Sequence, residues 1–192
     1  ITRERVRQIE NAALALIRKS EAFKSEVGVF EELKAIMHDL GAIVSEEDLL
    51  NHISKEALVQ NHIHLYLTLG DDFKKEKEDD HFRSRWSVSD EVSEAVHNAL
   101  KDLYLNLDDQ DLISENDIVD KFLQSIKNIS DKYKSEEIAR RWLSISKKIS
   151  KNPLGEWGKS TSSNIKTRGI KDYAFLVMRK HGSPMHFREV AK

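Results

Sequence analysis

Cysteine is absent from this 192-residue chain, proline occurs twice and glycine seven times. Without cysteine there are no disulfides, no thiol nucleophile and no thiolate zinc site, so a metal would have to be held by histidine and carboxylate alone. Few prolines and glycines leave long stretches without helix breakers. No apolar run reaches the roughly 18 residues that a transmembrane helix needs, and no basic segment leads a short apolar one in the manner of a signal peptide. These absences lead us to expect a soluble, cytoplasmic protein with no membrane partner. A glycine-rich phosphate loop, a nucleophile elbow and paired catalytic carboxylates are missing too. His62 and His64 stand two apart, which on a helix turns them about 200° from one another and defeats joint ligation. His52, His81, His97 and His186 have no ligand spacing. The expectation is a non-enzymatic protein that uses no metal and no cofactor.

Charge is abundant, at 33% of residues against 39% hydrophobic, which is the balance of a helix-rich, highly charged protein. The net charge of -2 is a cancellation: residues 1–20 carry +3, residues 21–130 carry -14 and residues 131–192 carry +9. A basic segment attracts phosphate and an acidic one is repelled by it, so the pattern expects different partners for different parts.

A sentence of helix punctuation recurs along the chain. Residues 36–49 read as a helix end, a Gly41 stop, a short apolar link and a helix opened by Ser45. Ile113-Ser114-Glu115-Asn116-Asp117-Ile118 repeats Val44-Ser45-Glu46-Glu47-Asp48-Leu49 at an offset of 69, and Val177 to His186 match residues 36–45, aligning Gly182 with Gly41. The period is about 70 residues.

In the first copy, Phe30, Leu33, Met37 and Leu40 make one helical face, Leu49 and Ile53 a second, and Leu58, Leu65 and Leu69 a third. After a turn over residues 75–80, residues 82–88 alternate, with Phe82, Trp86 and Val88 inward and Arg83 and Arg85 outward. Three short helices and a two-stranded ribbon are the pattern of a winged helix-turn-helix. In the second copy, Val92, Val96, Leu100 and Leu103 face inward, a second helix follows Ser114, and a third follows Ser135 with Ile138, Trp142 and Ile145 inside. Residues 151–158 are its candidate wing and residues 160–167 read as a linker. The expected architecture is mainly α, with tandem winged helix-turn-helix modules at 21–88 and 89–160 carrying small two-stranded wings. These stand between two incomplete units at 1–20 and 161–192, as in a fragment of a longer protein.

Thr2-Arg3-Glu4-Arg5-Val6-Arg7-Gln8-Ile9-Glu10, continuing through Ala13-Leu14 to Ile17-Arg18, closely resembles the recognition helix and C-terminal end of region four of bacterial primary sigma factors. The resemblance covers about a tenth of the chain. It implies a helix that reads the promoter's minus-35 element in the major groove. Arg3, Glu4, Arg7 and Gln8 would then take the base- and phosphate-contacting positions, and Val6 and Ile9 the buried ones. Arginine toward guanine, glutamate toward cytosine and glutamine toward adenine are pairings that major-groove edges favour. Residues 168–177 with residues 181–191 look like the opening of a HARE helix-turn-helix domain, a winged-helix family that includes the N-terminal domain of the delta subunit of Gram-positive RNA polymerase. Together these resemblances imply a DNA-binding transcription factor, nucleoid-associated, with double-stranded DNA and RNA polymerase as partners.

The second module adds Arg140, Arg141, Lys147, Lys148 and Lys151 on or after its third helix, where a winged helix meets phosphate. The first module, with 8 basic against 15 acidic residues over 21–88, reads instead as a unit that binds protein or packs on its sibling. The rival reading of the whole chain is an RNA polymerase accessory or other interaction module that does not read DNA.

Overall fold

The computed structural model describes residues 2–127 and 129–190. It is mainly helical, with two small antiparallel sheets of three and two strands. Helix α1 (Arg3–Lys19) opens on Thr2, whose hydroxyl accepts from the Arg5 amide at 3.3 Å. Ser20 ends it and starts the next helix: its hydroxyl donates to the Ile17 carbonyl at 2.7 Å and accepts from the Phe23 amide at 3.2 Å. The chain therefore bends into α2 (Glu21–Ser25) and α3 (Val27–Asp39).

Gly41 and Ala42 then reverse the chain with successive positive φ angles of 111° and 64°, and β1 (Ile43–Ser45) follows. Helix α4 (Glu46–Ile53) is capped by Ser45, which accepts from the Asp48 amide at 3.1 Å and donates to the Asp48 carboxylate at 2.7 Å. Next come α5 (Ala57–Leu69), β2 (Lys74–Glu76) and β3 (Arg85–Ser87). Strand β3 lies between the other two, with Trp86 opposite Val44 on one side and Lys75 on the other.

The second half repeats this order. Helix α6 (Asp90–Leu105) is followed by Ile113, then α7 (Glu115–Ser125), a 3-10 turn at Asp131–Tyr133, α8 (Glu136–Ile145), β4 (Ile149–Lys151) and β5 (Trp157–Lys159). Ser114 caps α7 through Asp117 at 3.2 and 2.6 Å, the geometry of Ser45 and Asp48 at an offset of 69. Ile113 forms an antiparallel bridge with Trp157, with backbone hydrogen bonds of 2.8 and 2.7 Å, as Val44 does with Trp86. The chain continues into α9 (Ile170–His181), closed by Gly182 at φ 74°, and α10 (Phe187–Val190).

The two halves share a core, because β1 is buried on both faces. Side chains alternate along a strand, so Val44 joins Leu33, Met37, Leu49, Leu67 and Trp86, while Ile43 enters a larger cluster with Phe122, Ile138, Trp142 and Leu143. Ala42 and Phe82 of the first half belong to that second cluster too. Trp142 Nε1 donates to the Gly41 carbonyl at 3.2 Å, the Arg83 amide to the Ile145 carbonyl at 2.9 Å, and the Lys147 amide to the His81 carbonyl at 2.8 Å.

Four expectations need correction. The first sheet has three strands, because β1 pairs with β3, and its β2 strand runs from Lys74 into the start of the stretch read as a turn. Arg85 is 4% exposed: its strand has the second half on the side where the alternation expected solvent. On α5 Leu69 is buried as expected, but so is Leu67, whereas Leu58 and Leu65 are 67% and 45% exposed, because the helix turns a different face to the core. Residues 160–167 are no free linker. Ser162, Asn164 and Ile165 are buried under the second hairpin, where Asn152 donates to the Asn164 carbonyl at 3.2 Å and Asn164 to Gln110 at 3.1 Å.

Gly41 is the tightest point of the seam. A Cβ there would lie 2.6 Å from Ile138 Cγ2 and 2.9 Å from Trp142 Nε1, at a φ that L-residues disfavour. Gly41→Ala is therefore expected to lose at least about 2 kcal/mol of stability by chemical denaturation, the sum of backbone strain and overpacking. An unchanged midpoint would show that the seam can open to admit a methyl group.

Candidate nucleic-acid interface

Helix α1 contains no buried residue. Its first turns present Glu4, Arg7 and Gln8 as one connected polar cluster. Arg7 donates to both Glu4 oxygens, Nε at 3.0 Å and Nη2 at 2.8 Å, and Gln8 Nε2 donates to Glu4 at 3.4 Å. The Arg7 hydrogen bonds hold the Glu4 carboxyl below its usual pKa and raise that of Arg7. Arg3 is exposed beside them with no side-chain ion pair among the described residues. The opposite face is apolar and equally open: Val6 and Ile9, which the sigma-factor resemblance places in a core, are each 53% exposed, because none of the described elements covers them.

The base of α1 is tied down at Arg18. Its Nε donates to the Leu69 carbonyl at 2.9 Å and Nη2 to the Thr68 carbonyl at 3.1 Å, so it caps the carbonyl end of α5, where a cation also meets the negative end of the helix dipole.

The cations expected on the second half do lie on or just after α8, but most of them are paired with carboxylates. Arg140 sits 2.9 Å from both Glu115 and Glu136, Arg141 is 2.6 Å from Glu137, and Lys147 is 2.6 Å from Glu78. Lys151 is 4.0 Å from Glu115 and 5.9 Å from the centroid of Trp157, whose ring is buried against the second core. Lys148 alone of these five has no carboxylate partner among the described residues. Helix α8 itself packs against β1, and its Ser144 donates to Asp48 at 2.9 Å. A cleft of about 650 Å³ beside it is lined by Glu46, Glu47 and Glu78 as well as Arg83 and Lys147, a mixed lining poorly suited to a phosphate backbone. The nine residues proposed from the sequence thus divide into an exposed group on α1, where Arg7 pairs with Glu4 inside the group, and a group on the body whose cations, Lys148 apart, pair with carboxylates of the body.

One polar cluster was not foreseen. At the seam, Arg85 Nη2 meets Glu76 at 2.9 Å, its Nη1 donates to the Arg83 carbonyl at 3.0 Å, and its Nε donates to His97 Nε2 at 2.6 Å. Ser93 of α6 donates to the same Glu76 at 2.6 Å, and the guanidinium lies 4.9 Å from the Phe82 ring centroid. Burial, with Arg85 adding to it, pushes the His97 pKa down to about 4. The imidazole is therefore neutral at pH 7 and its Nε2 lone pair accepts from arginine. An arginine on an alternating strand was the available sequence signal, but its burial depends on the second half.

Among the described residues no group of histidine and carboxylate side chains could hold a metal ion, and no helix is long and apolar enough to cross a membrane. Compared with protein-family models, curated proteins and solved structures, the chain matches none.

Proposed function

We propose that this protein binds double-stranded DNA and reads its sequence with α1, while a body of two fused winged helix-turn-helix units holds that helix. The observation that carries the proposal is the isolation of the α1 polar face. Arg3, Glu4, Arg7 and Gln8 stand clear of every other described element, on a helix anchored at its far end by Arg18. A helix of about 10 to 12 Å diameter fits a major groove of about 12 Å. The Glu4–Arg7 fork presents an acceptor and a donor side by side, the combination that discriminates cytosine and guanine edges. The winged-helix assignment rests on the order helix, β segment, helix, helix, hairpin in both halves, with the β segment returning to the hairpin at Trp86 and at Trp157. The protein would act without catalysis or cofactor, and phosphate contacts from the body would come from few residues, Lys148 first.

A second reading, docking on RNA polymerase or another protein without reading DNA, is favoured by the ion pairs that occupy Arg140, Arg141 and Lys147. Mobility-shift titrations against a minus-35-like duplex and a scrambled one, at several salt concentrations, separate the two. DNA reading expects preference for the first duplex, a steep fall of affinity with salt, and a loss of about 1 to 3 kcal/mol of base discrimination in Arg7→Ala. Equal affinity for both duplexes, untouched by Arg7→Ala, would end the sequence-reading proposal, and no binding to either would favour the protein partner.

A further inference from the structure

An apolar pocket at the seam lies apart from the base-reading face of α1 and shares only Lys148 with the phosphate contacts proposed for the body. Phe82 of the first half and Leu100 of α6, 4% and 1% exposed, form its floor, Tyr104 stands at its side, and Leu105 projects from the rim at 75% exposure. Lys101 and Lys148 also line it, and neither has a carboxylate partner among the described residues. Lys101 Nζ lies 5.9 Å from the Phe82 ring centroid. This sets the pair apart from neighbouring cations: Lys147 is taken by Glu78 at 2.6 Å, and Lys159, above the Tyr104 ring at 5.2 Å, is held by Asp109 at 3.0 Å.

We propose that this pocket docks an acidic peptide segment of a partner protein. The segment would seat one large apolar side chain against Phe82 and Leu100 and set flanking carboxylates beside Lys101 and Lys148. Volume argues for a single anchor. The pocket holds about 260 Å³, below the roughly 300 to 1,000 Å³ of sites that enclose a whole small molecule, and enough for one leucine- or phenylalanine-sized group. Charge argues for the flanks: two free ammonium groups on an apolar rim are complementary to carboxylates, and the seam carboxylates Glu76, Glu78 and Asp79 are already committed, Glu76 to Arg85, Glu78 to Lys147, and Asp79 to Arg85 and the amides of His81 and Phe82. Rigidity argues for a binding floor. Phe82 is packed 4.5 Å from the His97 ring and 4.9 Å from the Arg85 guanidinium, so little conformational entropy remains to be lost there on binding. Stacking of nucleic-acid bases is disfavoured, because Phe82 lies at the bottom of the pocket with its ring already flanked.

Fluorescence anisotropy with labelled nine-residue peptides tests the site on the full chain. The probe has a central Phe flanked by Asp and Glu; the controls replace Phe by Ala, or the flanks by Ser and Gly, or by Lys and Arg. The acidic Phe peptide should bind at least tenfold more tightly than each control. The double variant Lys101→Glu/Lys148→Glu should weaken it at least tenfold while leaving the thermal midpoint within a degree or two, since neither lysine is in the core. Amide chemical shifts should move at residues 100–105 and 146–148, and Arg7→Ala should leave the affinity unchanged, which keeps this result independent of DNA reading. Affinity indifferent to flank charge or to the double reversal would overturn the proposal. So would decanoate displacing the peptide at lower concentration than the peptide itself binds, which would make the site one for small amphiphilic carboxylates.

Discussion

Trp142→Ala is expected to lower the stability of the body by about 3 to 5 kcal/mol, the usual range for emptying a fully buried aromatic site. Trp142 is 0% exposed, meets Phe122 edge-on at 6.2 Å, and reaches across the seam to the Gly41 carbonyl. Its loss leaves a cavity that both halves line. For a body of this size the thermal midpoint should fall by roughly 10 °C. The substitution also leaves one tryptophan in each half, Trp86 and Trp157, as local reporters. Because Ala42, Ile43 and Phe82 lie in the same cluster as the second half's core, both reporters should lose their native emission in one transition. Two separated transitions, with Trp86 unaffected, would show that the halves are independent domains. Trp142→Phe isolates the polar share of the effect: the ring stays, the N–H to Gly41 is lost, and the cost should be about 1 to 3 kcal/mol for the stranded carbonyl and the smaller ring.

The second large effect is expected at Arg85. Its side chain is 5% exposed and serves Glu76, His97 and two backbone carbonyls, so Arg85→Ala strands a carboxylate inside the seam and should cost about 3 to 5 kcal/mol. Arg85→Met paired with Glu76→Leu removes both charges and should recover much of that loss. Failure of the pair to recover stability would place the energy in the carbonyl contacts instead.

The same cluster gives the body a defined acid response. His97 has a folded pKa of about 4 against 6.5 when free, so between those values the unfolded chain takes up a proton that the folded one refuses. Stability is therefore full above about pH 6.5, declines as pH falls toward 4, and gains no further loss from His97 below that. The decline should be on the order of 3 kcal/mol. Asp79 has a folded pKa below its ordinary value. Burial opposes this, but the amides of His81 and Phe82 and the charge of Arg85 outweigh it, so Asp79 extends the loss to lower pH. Denaturation midpoints from pH 7.5 to 4 measure the slope. His97→Gln, which keeps an acceptor for Arg85 Nε and cannot titrate, should flatten it; an unchanged slope would assign the acid response to other groups.

Much of the helical frame was legible because its signals are local. Ser45, Ser89, Ser114 and Ser135 each accept a hydrogen bond from the amide three residues on, a geometry specified within one turn. The inward residues of α6 and α8 follow helical periodicity because each helix turns a single stripe to the core. The pairs Glu136 with Arg140 and Glu137 with Arg141 could also have been foreseen from their spacing of four. The contacts of Arg140 with Glu115 and of Lys147 with Glu78 could not, since they join different elements. At the candidate site, Arg3, Glu4 and Arg7 share a polar face by helical spacing and Gln8 was named by the resemblance to sigma region four, whereas the exposure of Val6 and Ile9 depends on which elements surround that helix.

The sequence by itself determined the punctuation of this protein: where helices start and stop, the 70-residue repeat, and the separation of a basic leading helix from an acidic middle. Tertiary structure alone decided that the two repeats are fused. That fusion rests on Trp142 reaching Gly41 across 101 residues, on Ser144 reaching Asp48 across 96, and on a strand buried on both faces, which puts Arg85 inside. Local patterns assume one solvent-facing side for each element. When two amphipathic units share a face, that assumption fails at the residues between them.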